Sequence, residues 1–92
     1  MINGNLSEFI DKLYYGDELW FVYKGIKYMI EGFLEDGKYN LYLFTPYTEG
    51  DGYTWIGKGS EEAYPVKEFL NAPIFDGDAF INIESNIEWV DC

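Results

Sequence analysis

Histidine, arginine and glutamine are missing from the chain, and its single cysteine, Cys92, is the last residue. Each absence removes chemistry. Without histidine there is no side chain whose ordinary pKa lies near neutrality, so the commonest general base and metal ligand is gone. Without arginine there is no bidentate fork for phosphate, carboxylate or the edge of guanine. Serine–histidine and cysteine–histidine nucleophiles are excluded outright. One cysteine forms no internal disulfide. Cys92 is expected to be a frayed terminal residue rather than a reactive thiol, because no cation lies near it in sequence to lower its pKa.

Positive charge is the next scarcity. The six basic residues, Lys12, Lys24, Lys27, Lys38, Lys58 and Lys67, are scattered singly among 17 acidic ones, for a formal net charge of −11. Direct nucleic-acid binding needs a basic patch that releases counterions, and none can be assembled from these lysines. Anionic membrane surfaces are disfavoured for the same reason. A basic protein partner, by contrast, would be attracted and steered. No apolar run approaches the ~18 residues of a membrane span, and Met1 to Asn5 lacks the charged and apolar regions of a signal peptide. A cytoplasmic location is therefore expected.

What is present is aromatic. Three Trp, nine Tyr and seven Phe in 92 residues make disorder untenable, and the length fits one domain, residues 1–92. Leu6, Phe9, Ile10, Leu13 and Tyr14 recur at helical spacing, with Asn5 as N-cap, Glu8 in the capping-box position and Gly16 as the stop. This predicts a helix over 6–15. From residue 18 the period changes to two. Strands are expected at 18–23, 26–31, 39–45 and 53–57, joined by turns at Lys24-Gly25, at Asp36-Gly37 and across a longer loop 47–52. Connections this short make an antiparallel meander, since parallel pairs need crossovers of a dozen residues or more.

Beyond the strands, Ser60 is expected to cap a second helix over about 63–71, with Ala63, Val66, Phe69 and Leu70 facing inward. Asp76-Gly77 reads as a turn. Asp78 is expected to cap a short helix carrying Phe80 and Ile83, and residues 87–90 to be extended as an edge strand, the alternative being a final turn of that helix. The fold class is thus α+β: an N-terminal helix, a four-stranded antiparallel meander and one or two C-terminal helices in two layers. Three short helices cover one sheet face. The other should expose some of Trp20, Val22, Met29, Phe33, Tyr42 and Phe44.

Tyr23-Lys24-Gly25-Ile26-Lys27-Tyr28 and Glu68-Phe69-Leu70-Asn71-Ala72-Pro73-Ile74-Phe75-Asp76-Gly77, followed by Phe80 and Ile87-Glu88-Trp89-Val90-Asp91, span much of the chain. In these segments it resembles a group of short uncharacterised bacterial and phage-borne proteins. The resemblance implies the fold and carries over no activity and no catalytic residue.

No cofactor or metal site is expected. Asp76-Gly77-Asp78 with Asn82 and Glu84 suggests calcium, but Ile81 stands where an EF-hand needs glycine and Ile87 where it needs the bidentate glutamate. Paired carboxylates are the only acid–base equipment, and a chain this small has little room for a cleft beside its core. No catalytic residue is assigned.

Three functions therefore compete. The first is a non-enzymatic acidic module that binds a basic protein, as a phage-type inhibitor of a nucleic-acid-handling enzyme would. Duplex DNA carries about 15 charges over ~25 Å, so −11 spread over a whole surface allows only partial mimicry. The second is a small-ligand or carbohydrate-binding domain using an exposed aromatic sheet face, and the third a minimal carboxylate hydrolase. For the first, the expected partner-binding residues are Tyr47, Glu49, Asp51 and Tyr53, because their loop exceeds what a hairpin needs and combines tyrosines, acids and glycines.

Overall fold

The computed structural model describes residues 1–45 and 54–90. Helix α1 spans Leu6–Tyr14 and buries Phe9 and Leu13, with Leu6 and Ile10 half-buried beside them. The Asn5 side chain accepts from the Glu8 amide at 3.1 Å, which satisfies one of the donors that a helix start leaves open. At the far end Gly16 takes a left-handed φ of 71°. Its amide donates to the Leu13 carbonyl at 3.0 Å and that of Asp17 to Lys12 at 3.2 Å, the paired bonds of a Schellman stop.

Strands β1 (Leu19–Tyr23), β2 (Ile26–Glu35), β3 (Lys38–Phe44) and β4 (Trp55–Lys58) form the antiparallel meander. Lys24-Gly25 and Asp36-Gly37 are two-residue turns with positive φ at both positions, the hairpin geometry that matches strand twist. Three differences from expectation follow from tertiary structure. Strand β2 runs on to Glu35, past the point where Gly32 breaks the hydrophobic alternation. The stretch expected to be extended supplies a fifth strand, β5 (Glu88–Trp89), antiparallel to β1, so the sheet order is β4-β3-β2-β1-β5 and the sheet has five strands rather than four. Ile2 bridges to Glu88 outside β5, with its amide on the Ile87 carbonyl at 2.8 Å.

The third difference concerns the helices. Helix α2 spans Val66–Asn71, not 63–71. Proline disfavours helical backbone at the residue before it, here Tyr64. The Val66 amide donates to the Tyr64 carbonyl at 2.9 Å, and Pro65 at φ −81°, ψ 62° is the centre of an inverse γ-turn. Ser60 caps no helix. Its hydroxyl accepts from the amides of Glu62 and Ala63 and closes a separate turn, leaving Ala63 exposed. Helix α3 (Phe80–Ile83) is flanked by Ala79 rather than capped by Asp78, because Asp78 pairs with Phe75 across the Asp76-Gly77 turn. A 3-10 turn at Glu84–Asn86 leads into β5.

The core lies between the helices and one sheet face. Phe80 is its hub, with ring centroids 5.3 Å from Phe9, 5.4 Å from Phe21, 5.3 Å from Phe69 and 6.1 Å from Phe75. Alternation along the strands brings Leu19, Phe21, Tyr28, Ile30, Leu41 and Leu43 to this face. No helix among the described residues is long and apolar enough to cross a membrane.

Candidate functional site

The loop residues Tyr47, Glu49, Asp51 and Tyr53 lie outside the described residues, as does Cys92. Two other surfaces combine chemistry with a built scaffold.

The first is a hollow of about 420 Å³ lined by Tyr14, Tyr15, Tyr39, Glu62, Ala63 and Tyr64. Its construction starts from two glycines. The Gly32 amide donates to the Gly16 carbonyl at 3.1 Å, which brings β2 against the end of α1. A Cβ at either position would lie 2.4 Å from the Tyr64 ring, so both glycines exist to seat that ring. Tyr64 meets Tyr39 edge-on with centroids 5.0 Å apart. The helix stop at Gly16 leaves Tyr14 and Tyr15 standing at the rim, 48% and 73% exposed. The Ser60 turn, held to β3 by the Tyr39 amide donating to the Ser60 carbonyl at 2.8 Å, presents Glu61 and Glu62 on the opposite side. Partial burial, then the neighbouring Tyr39 and the Asp17 carboxylate, raise the Tyr64 hydroxyl above its ordinary pKa, so it stays a neutral donor. Tyrosine faces rimmed by carboxylates suit a lysine or arginine from a partner, through ring and charge together.

The second surface is the outer face of the sheet. The register places all six expected residues there: Trp20, Met29 and Phe44 in one cross-strand row, with Val22, Phe33 and Tyr42 in neighbouring rows. Phe33 packs edge-on against Tyr42 at 5.3 Å, and Tyr42 stacks with Phe44 at 6.1 Å. At one end an apolar depression of about 310 Å³ is lined by Trp20, Lys27, Met29, Phe44 and Thr45. The Lys27 ammonium sits 4.8 Å from the Trp20 ring centroid, and the indole N–H donates to Glu18 at 2.8 Å.

At the other end the Tyr42 hydroxyl and the Asn40 amide donate to the Glu35 carboxylate at 2.5 and 3.2 Å. Asn40 in turn accepts from the Gly59 amide at 3.2 Å. These two bonds, reinforced by Lys58, hold the Glu35 carboxyl below its ordinary range. Four residues earlier on the same strand, partial burial and the charge of Glu18 push Glu31 up.

Charge is distributed unequally between the two sides. The outer face carries Lys27, Lys38 and Lys58 against Glu18, Glu31, Glu35, Asp36 and Glu88, a small acidic excess. The helix layer and its connections carry Glu8, Asp11, Asp17, Glu61, Glu62, Glu68, Asp76 and Asp78 against Lys12 and Lys67. The sequence signals tyrosines and acids in abundance. It does not signal that Tyr14, Tyr15, Tyr39 and Tyr64 converge, because that depends on the β2–α1 contact at two glycines.

No protein-family profile, curated protein or solved structure matches the chain.

Proposed function

We propose that this chain is a non-enzymatic, acidic protein-binding module whose contact surface is the tyrosine hollow. Its partner presents a basic surface, of the kind nucleic-acid-handling proteins use for phosphate. The observation that carries this reading is the gathering of exposed Tyr14 and Tyr15 with Tyr39, Tyr64 and Glu62 at one rigidly seated hollow on the acidic side of the molecule. Such a module inhibits its partner by occupying the basic groove. The chain, 34 Å in its longest dimension, carries about half the charge of duplex DNA of that length, so the mimicry is partial.

The rival readings lack comparable support. A sugar-stacking platform needs a free aromatic face, and Lys27 lies over the Trp20 ring. A carboxylate hydrolase needs two unequal carboxyls ~5–9.5 Å apart. Glu31 and Glu35 are perturbed in opposite directions, but four strand residues separate them by about 13 Å.

The test is capture of partners on immobilised protein, followed by association kinetics over a salt series. The captured protein should be basic, and its on-rate should fall steeply as the Debye length shrinks from ~30 Å at 0.01 M salt to ~8 Å at 0.15 M. Tyr15→Ala combined with Glu62→Lys should weaken binding at least tenfold, about 1.4 kcal/mol, with the melting temperature unchanged. An acidic partner, a salt-independent on-rate or full binding by the double variant would each overturn the reading.

A further inference from the structure

The tyrosine hollow makes no use of the outer sheet face, which carries a charge pattern of its own. Along β2 the outward residues are Lys27, Met29, Glu31, Phe33 and Glu35. Read in reverse the series is Glu35, Phe33, Glu31, Met29 and Lys27. A second copy laid face to face, with its β2 antiparallel about a two-fold axis at Glu31, therefore sets each Lys27 opposite Glu35 of the other copy. Each Met29 then meets Phe33, and the pattern is self-complementary, as an isologous interface requires.

Electrostatics selects the same occupant. A chain with net charge −11 repels another copy of itself wherever acid predominates. A basic partner is drawn to the helix side. A second copy is turned away from it and meets least repulsion at the outer face, where three lysines stand against five acids.

We infer that the outer face of the sheet is a dimer interface between two copies of this chain, stacked sheet on sheet through β2. Packed sheets keep their strands within about 30° of each other, and long lysine and glutamate side chains span the sideways drift that this angle produces. At about 16 Å² per strand residue, the five strands offer a flat footprint near 450 Å², against ~800 Å² per partner in a standard interface. The dimer is therefore weak and assembles as concentration rises. Glu31 and the neighbouring Glu18 face their own copies on the axis and keep it weaker still.

Sedimentation equilibrium on the purified chain, from low micromolar to millimolar concentration, tests the inference. The weight-average mass should climb from 10.7 kDa towards twice that value. Lys27→Glu alone and Glu35→Lys alone should each weaken association severalfold. The double exchange of both residues should restore it, because the two charges meet across the axis. Glu31→Gln should tighten it. Melting temperatures confirm that each variant is folded. A monomer at every concentration overturns the inference. So does a dimer indifferent to Phe33→Ser, or single variants that the double exchange does not rescue. None of these outcomes bears on the basic partner, which uses the other side of the molecule.

Discussion

On the inner face of the sheet Phe21, Tyr28, Ile30, Leu41 and Leu43 are roofed by three helices. On the outer face of the same strands Trp20, Met29, Phe33, Tyr42 and Phe44 have no roof. Both sets are built from large apolar and aromatic side chains, the outer one richer in rings, and they differ in what surrounds them. Inside, the rings interlock around Phe80. Outside, they form a ladder edged by paired charges, Lys27 over Trp20 at one end and Glu35 beneath Tyr42 and Asn40 at the other. Aromatic content alone therefore says nothing about burial. The charges interleaved with it do, since the inner strand positions carry none.

The comparison breaks most visibly under truncation of one ring on each face. Phe80→Ala removes the hub that touches four other phenylalanines and should cost about 3–5 kcal/mol. Phe44→Ala loses one stacked neighbour at a half-open position and should cost about 1 kcal/mol or less. Urea denaturation of both variants measures the difference. Equal losses would mean that the outer face is structurally as closed as the inner one.

A smaller effect sharpens the comparison on the outer face itself, where two glutamates of one strand are perturbed oppositely. Glu31 has a raised pKa in the folded state, first from burial and then from Glu18. Its contribution to stability is present below the unfolded value and is lost as pH rises through the folded one. Glu35 is lowered, first by the Tyr42 hydroxyl. Its contribution is present above the unfolded value and is lost as pH falls through the folded one. Carboxyl-carbon NMR titration should give the higher midpoint to Glu31 and the lower to Glu35. Tyr42→Phe should move only Glu35, upward. Coincident midpoints would show that the Tyr42 and Asn40 bonds do not persist in solution.

Much of this arrangement was legible before the structure. The 3.6-residue spacing of Phe9 and Leu13, with Asn5 and Gly16 at the ends, specifies α1 through local interactions alone. The two hairpin turns are specified in the same way, and once they fix the register, the outward set from Trp20 to Phe44 follows by alternation. What was not legible depends on partners distant in sequence. Gly32 looks like a flaw in a strand until Tyr64 and Gly16 are seen to fill the space above it. Ser60 has the chemistry of a helix cap, but Pro65 intervenes before a helix can begin. The hollow was not legible because its four tyrosines come from the end of α1 and its C-cap, from β3 and from the turn before α2. No window of sequence contains them together. The expected site at Tyr47, Glu49, Asp51 and Tyr53 has the same chemistry, tyrosines beside acids, at a different address.

The bridge from Ile2 to Glu88 has a kinetic consequence. Every other neighbour in the sheet except β5 follows its partner within a hairpin or a single loop, so β1 to β4 can zip together from local turns. Joining β5 to β1, and Ile2 to β5, requires almost the whole chain to close on itself, and the entropy of that closure is not recovered until the core has formed. The seam therefore closes last and opens first. Ile87→Ala, at a fully buried position whose carbonyl holds Ile2, should accelerate unfolding while leaving the refolding rate nearly unchanged. Stopped-flow refolding that slows in proportion to the lost stability would instead place the seam inside the folding nucleus.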